Sequence, residues 1–426
     1  MFDHGVNESW LDQCAGVRGD LFFVMDEGWD LPDQQVMVVA GRFPSYAASN
    51  QVEAFRALSD AIKNRGWRGL GLWMRADAKT DDFWIQRLQW MNASGVSYWK
   101  VDYGDNDKDE AWRQHLTDLG RKLAPNLTIE TAMTPHAITW ADTYRTYDVD
   151  ALVSIPQTLN RVVELLQYRA NPPAKGLINC EDEVYLGTGL GCCYGVMRHN
   201  YAGSLPGGRQ DFVFPPLTRD LKHCQDEVVR AVRWRHIAPA FAVGSGEVNV
   251  SDELLTDNWF YKPDESWEVQ AGGERQLEAP ASVTRCLPIP VVSVSGSIKP
   301  YVVAARYPNG AVAIATLGRA ICHSATERQW ITGEVADVAL DIGQYSGPIG
   351  IFGRYHSLTI DFSEPISGKI LMQDLASDSP VDVTARTIVA ENRMVIPGDL
   401  IDMIGKSAST PGDKSDPGIV LAIEPD

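Results

Sequence analysis

The sequence has no run of about 18 apolar residues, so no helix in it is long and apolar enough to span a membrane. Its opening, MFDHGVNESW, carries neither a basic start nor an apolar stretch, and no signal peptide is expected in the chain as written. Phosphate cradles are missing too: neither GxxxxGK[ST] nor GxGxxG occurs, so no nucleotide cofactor is expected. The eight histidines are scattered without an HExxH pair, which argues against a catalytic metal. Seven cysteines form no CxxC motif, and their odd number argues against a complete disulfide framework. The adjacent Cys192 and Cys193 read as small buried hydrophobes. Positive charge is scarce, with 38 Lys and Arg against 56 Asp and Glu, a net charge of −18. That balance disfavours nucleic acid and anionic membranes as partners. Asn7, Asn92, Asn126 and Asn249 lie in glycosylation sequons, which arise by chance and fix no compartment.

What is present is a globular composition, 44% hydrophobic and 22% charged, on a chain of 426 residues, long enough for two domains. Thirteen Trp and fourteen Tyr supply aromatic faces of the kind that sugar clefts and large cores both use.

The first part alternates short apolar runs with helical periods. Strands are expected at 21–25, 70–74, 96–101, 127–131, 139–144, 176–179 and 239–243, with helices at 52–64, 81–93, 109–123 and 151–169 between them. Such alternation predicts a parallel sheet covered by helices. A closed (β/α)8 barrel needs eight strands and seven are counted; the deficit lies at the front, where residues 1–19 offer only a helix-like SWLDQCAGV. The missing first strand is expected upstream of Met1, or else elsewhere in the chain. After about residue 270 the pattern changes. Strand-like runs recur at 301–306, 311–316, 338–342, 349–352, 357–362, 369–373, 379–385 and 394–396, without long helices, and Pro308-Asn309-Gly310 marks a hairpin. The expected division is a barrel over residues 1–270 and an antiparallel β-sandwich over 271–426, with a linker near GGER at 272–275.

Parallel barrels collect reactive groups at the C-terminal ends of their strands. Here those ends carry Asp26 and Glu27, Trp73 and Arg75, Lys100 and Asp102, Glu130, Arg145 and Asp148, and Asp182. Acidic residues interleaved with a few cations, and with Trp29 and Trp73, suit a polyhydroxylated ligand and carboxylate-pair chemistry. The sharpest piece is YWKVDYG at 98–104, where Lys100 and Asp102 sit two apart and face the same way on a strand. A lysine beside a carboxylate keeps it ionised, as a nucleophile must be, although a plain interior ion pair gives the same pattern. Asp105, Asp107 and Asp109 mimic a calcium loop but lack its glycine, and read as a solvated acidic loop. Asp81-Asp82 reads as a helix cap.

In order along residues 20–320, MDEGW (25–29), GRFPSYAA (41–48), AFRALSDAIKNRGWRGLGLW (54–73), Lys100-Val101-Asp102, YRTYDVD (144–150) and INCEDEVYLG (178–187) resemble glycoside hydrolase family 27, the melibiase clan. The resemblance implies a retaining exo-glycosidase, with Asp102 as nucleophile and Asp148 as acid/base. Asp26, Glu27, Trp29, Trp73, Lys100, Glu130, Arg145 and Asp182 would contact the sugar. Arg145 would lie near its second hydroxyl and Trp73 against its apolar face. Three departures stand out. Tyr103-Gly104 follow the nucleophile where the family has a disulfide-linked Cys. The spacing from Arg145 to Asp148 is one residue short, leaving Asp150 as a rival acid/base. ETAMTP replaces CEWP, so Glu130 and Met133 align about equally well.

The implied substrate is an oligosaccharide or glycoside with a terminal α-galactoside. Glu27 stands where the family commonly has Asp, and its extra methylene would crowd the hydroxymethyl of galactose; a β-L-arabinopyranoside lacks that group and is the alternative. A catalytically inactive carbohydrate-binding barrel, or a lectin function confined to the sandwich, is the reading from a different class.

Overall fold

The structure, a computed structural model, describes residues 10–146, 155–196, 224–261, 273–322 and 330–424. Asp148 and Asp150 lie outside the described residues. By its contacts the chain divides into two units, Met1–Asp148 with Tyr168–Leu177, and Val149–Gln167 with Ile178–Asp426.

The first unit is α/β. Its strands are β1 (Phe22–Met25), β2 (Gly69–Met74), β3 (Tyr98–Val101), β4 (Thr128–Thr131) and β5 (Thr143–Arg145), paired in parallel and in chain order. A sixth strand, β6 (Leu177–Asn179), continues that order through Leu177, whose amide donates to the Asp142 carbonyl at 3.0 Å. Helices α1 (Gln51–Asn64), α2 (Asp81–Ser94) and α3 (Glu110–Leu123) make the crossovers. Each begins at a capped residue. The side chains of Asn50, Thr80 and Asp109 accept from the amides of Glu53, Phe83 and Trp112. Thr80 is therefore the α2 cap, and the expected caps Asp81 and Asp82 sit one step on, in its first turn.

Apolar spacing buries one face of α1, through Ala54, Phe55, Leu58 and Ile62. Two glycines let the layers close. A Cβ at Gly71 would meet Val24 Cγ2 at 2.7 Å, and one at Gly120 would meet Ile129 Cδ1 at 2.5 Å.

Only six of the seven expected strands form. Residues 239–243 follow helix Gln225–Ile237 as an irregular segment in the second unit. Their main-chain groups are satisfied off any ladder: the Phe241 amide donates to the Gly191 carbonyl at 3.0 Å. The carbonyls of Phe241 and Ala242 take the Arg285 guanidinium at 3.4 and 2.7 Å. Among the described residues β1 and β6 are the sheet's edges, and the ladder does not close on itself.

The second unit is dominated by an eight-stranded and a five-stranded sheet that share one core. Val302, Ile314, Ile351 and Leu421 come from the first sheet, and Val338, Leu358, Ile360 and Met394 from the second. The expected hairpin is there: Tyr301–Arg306 runs antiparallel to Val312–Leu317, and Gly310 takes the positive φ of 89° that the turn needs. The expectation of a purely antiparallel sandwich is corrected to mixed sheets. Ser282–Arg285 with Tyr301–Arg306, Val312–Leu317 with Ile349–Phe352, and Ala336–Gly343 with Tyr355–Phe362 are all parallel pairs. Gly273–Pro280 is a strand paired antiparallel with Leu254–Tyr261. The helix expected over 151–169 is described as Ile155–Leu166, with Pro156 in its first turn.

Candidate active site

Register builds the site. Met25 pairs with Leu72, Trp73 with Lys100, and Lys100 with Glu130. Asp26, Trp73, Lys100 and Glu130 therefore stand at one level across four neighbouring strands, with Asp102 one step further along β3 on the face of Lys100. The Lys100 ammonium reaches across β2 to both carboxylate oxygens of Asp26, at 3.3 and 3.2 Å.

Asp102 is the centre of the arrangement. Arg145, at the end of β5, grips it with two hydrogen bonds: Nη2 to Oδ1 at 2.7 Å and Nη1 to Oδ2 at 3.2 Å. The Trp73 indole Nε1 adds a third, to Oδ2 at 3.0 Å. Burial pushes the Asp102 carboxyl up. The Arg145 charge and hydrogen bonds, the nearby Lys100 charge and the Trp73 bond outweigh it, and the group is held down at about 2. Asp102 is ionised at neutral pH. Among the described residues Oδ2 accepts two hydrogen bonds and Oδ1 one, so Oδ1 keeps the less engaged lone pair.

The main chain beneath Asp102 is fixed by Arg113, a buried side chain on α3. Its guanidinium donates to the carbonyls of Asp107, Val101 and Asp102, at 2.7, 3.1 and 2.9 Å, and to Thr131 Oγ1 at 3.1 Å. Burial and the nearby Arg145 charge lower its pKa to about 10, so it remains a cation. The acidic loop closes the same seam. Asp105 accepts from the Ala78 amide at 3.0 Å, and Asp109 caps α3. The Ala76 amide donates to the Tyr103 carbonyl at 3.0 Å, and the Asn106 amide to the Ala76 carbonyl at 2.7 Å. Gly104, at φ 148°, lies so close to Ala76 that a Cβ there would meet its backbone at 2.7 Å.

The remaining candidates fall in different surroundings. Glu27 is exposed and accepts a hydrogen bond from the Tyr103 hydroxyl. Trp29 is in the core, packed edge-on against Phe55 with its indole donating to the Trp73 carbonyl at 2.8 Å. Glu130 is 1% exposed and accepts from the Tyr98 hydroxyl at 2.6 Å. Asp182 belongs to the second unit, where it is buried at a φ of 62° and its amide donates to the Gly195 carbonyl at 2.7 Å. Asp26, Glu27, Trp73, Lys100, Asp102 and Arg145 are thus brought together in the first unit. Sequence reasoning did not single out Arg113, Tyr98 or Tyr103 as site residues. Arg113 has no sequence signal, being one of several polar residues on a helix, whereas Tyr103 is flagged by its place directly after Asp102.

No protein-family model matches the chain, and no curated protein matches it. Among solved structures it is similar to a family 27 β-L-arabinopyranosidase variant from Geobacillus stearothermophilus in complex with arabinose, at 11% identity and a TM-score of 0.38, over 95% of this chain and 89% of the other. A putative α-galactosidase/melibiase from Bacteroides fragilis matches at 12% identity and a TM-score of 0.33, over 61% and 69%. A cyclic α-maltosyl-(1→6)-maltose hydrolase from Arthrobacter globiformis matches at 10% identity and a TM-score of 0.32, over 55% and 82%. At these scores and identities the likenesses assign neither a family nor an activity to this chain.

Proposed function

We propose that the chain is a retaining exo-glycosidase with a (β/α)8-type catalytic domain followed by a C-terminal sandwich. The observation that carries this reading is the Asp102 carboxylate. It lies at a strand's C-terminal end, buried yet ionised, held by Arg145 and Trp73 with one oxygen less engaged among the described residues. A carboxylate so placed is a nucleophile that needs no base to activate it. Oδ1 attacks the anomeric carbon as the glycosidic C–O bond breaks, and Asp148 gives its proton to the leaving oxygen. Asp148 then takes a proton from water, whose oxygen displaces Asp102 and releases the sugar. A carboxylate of low basicity is also a good leaving group in that second step. The Asp26–Lys100 pair presents charged hydrogen-bond partners for sugar hydroxyls beside Trp73. The substrate is a terminal α-galactoside or, given Glu27 in place of the usual Asp, a β-L-arabinopyranoside.

The acid/base assignment is tested with leaving groups. Asp148→Ala spares the first step on dinitrophenyl glycosides, which need little protonation, and added azide restores the slowed second step. If Asp150→Ala shows that pattern and Asp148→Ala does not, Asp150 is the acid/base.

One observation favours the inactive-barrel reading: the two-point Arg145 grip is also what a purely structural ion pair looks like. Turnover of a nitrophenyl glycoside by the full chain, lost in Asp102→Asn, removes that reading.

A further inference from the structure

The second unit gathers thiols around a buried arginine. Asn179, the last residue of β6, and Cys193 form a parallel bridge. The Cys180 amide donates to the Cys193 carbonyl at 3.0 Å, and the Cys193 amide to the Ile178 carbonyl at 2.7 Å. Side chains alternate along such a pairing, so Cys180 and Cys192, which flank the bridged residues, project to one face. There the two buried thiols bond to each other. Gly187 permits the approach, since a Cβ on it would meet the Cys193 carbonyl oxygen at 2.9 Å and Cys180 Cβ at 3.2 Å.

Arg285 closes the cluster. It is 1% exposed, and its guanidinium lies 3.6 Å from the Phe241 ring centre. Its two Nη atoms donate to the carbonyls of Leu190, Phe241 and Ala242. The Leu190 carbonyl also lies 3.7 Å from Cys192 Sγ. Arg285 Nε is buried without a hydrogen-bond partner, and among the described residues no carboxylate pairs with this cation. The titratable groups that face it are Cys192, Cys286, Tyr307 and Cys180. Burial pushes the Tyr307 hydroxyl up, so it is neutral at pH 7. Sulfur is left to supply the counter-charge that a buried guanidinium requires. The bond from Cys180 and the Arg285 charge outweigh burial and hold the Cys192 thiol below the usual thiol range. Burial and the bond to Cys192 push the Cys180 thiol up. Cys192 is therefore the attacking sulfur of the pair, and Cys180 keeps its proton.

We propose that Cys192 and Cys180 form an oxidation site for small hydroperoxides, closing reversibly to a disulfide. Cys192 sulfur attacks one peroxide oxygen; the S–O bond forms, the O–O bond breaks, and the second oxygen leaves as hydroxide, which takes the proton Cys192 had given up. Cys180 sulfur then attacks the Cys192 sulfenic acid. The S–S bond forms, the S–O bond breaks, and the hydroxyl departs as water with the Cys180 proton. Two thiols lose two electrons and hydrogen peroxide is reduced to two waters. A dithiol reverses the change. None of these residues takes part in the glycosidase mechanism, and the inference stands or falls without that reading.

The test uses the full folded chain and hydrogen peroxide, a probe little larger than water. After brief treatment the remaining thiols are blocked with iodoacetamide in denaturant, and peptides are mapped by mass without reduction. The Cys180–Cys192 disulfide is expected as the first product, and dithiothreitol is expected to remove it. In Cys180→Ser the reaction is expected to stop at a sulfenic acid on Cys192, which dimedone captures at one per chain. Exposure alone would direct the reagent to the half-exposed Cys193 and Cys286 instead. Cys286→Ser is expected to leave the rate of disulfide formation within about twofold; a larger loss would make Cys286 the attacking sulfur and overturns the assignment. If Cys180 and Cys192 stay reduced in the folded chain, whether or not Cys193 and Cys286 oxidise, the proposal is overturned. The same holds if their disulfide appears only in denaturant that unfolds the protein.

Discussion

The two units each bury an aspartate in a two-point grip by arginine, and the two pairs are finished differently. In the second unit Asp374 and Arg230 are both fully buried, bonded at 2.9 and 3.1 Å. Asp374 also accepts the amides of Ala376 and Ala408 at 2.8 and 3.0 Å, one on each oxygen. Arg230 also donates to Ser409 Oγ and the Asp416 carbonyl. Every strong acceptor direction is filled. In the first unit Asp102 has Arg145 and one indole, and its Oδ1 has a single partner among the described residues. Saturation with main-chain amides marks a carboxylate that holds a fold together; an oxygen left with room marks one that can react.

The largest expected effect separates the pairs by activity. Asp102→Asn should lower turnover of a nitrophenyl glycoside by at least about a thousandfold while the chain stays folded. Asp374→Asn should leave kcat per folded molecule within a few-fold. Equal losses from both substitutions would erase the distinction.

Stability should rank them the other way. Breaking a buried pair from one side strands its partner, at a cost of about 3–5 kcal/mol, and Asp374→Asn should approach that figure in denaturant unfolding. Asp102→Asn should cost less than half as much, because the Asp102 side chain is 10% exposed whereas that of Asp374 is fully buried. If the two costs are equal, the site is as sealed as the sandwich core.

Acid is the gentlest probe. The folded carboxyl of Asp102 titrates at about 2, below its ordinary value of 3.8, so its contribution is present above pH 4 and is lost as pH falls from about 4 through 2. The shift is worth about 2 kcal/mol. Urea unfolding of wild type and Asp102→Asn across that window should converge toward low pH. Curves that stay parallel would mean the aspartate is not held as described.

Much of this arrangement was legible in the chain, because strand ends and side-chain alternation follow from local pattern. Lys100 and Asp102 are two apart on an apolar run, and that spacing alone puts them on one face. Partner choice was less legible. The lysine two residues away bonds Asp26, and it is Arg145, two strands over, that bonds the nucleophile candidate directly. No local pattern encodes which cation reaches which carboxylate. Strand direction in the sandwich failed for a related reason, since alternation reports a buried face and not the direction of its neighbour. Residues 239–243 misled because an apolar run is also what a buried helix exit looks like when a distant arginine, Arg285, takes its carbonyls.

The tight approach of Gly104 to Ala76 has a bearing on how this site can be remodelled. With no room for even a methyl group between them, and with hydrogen bonds stitching Ala76 to Tyr103 and Asn106, the turns leaving β2 and β3 are one welded piece. Lengthening either turn to reach a bulkier substrate would tear the seat of the nucleophile candidate along with it.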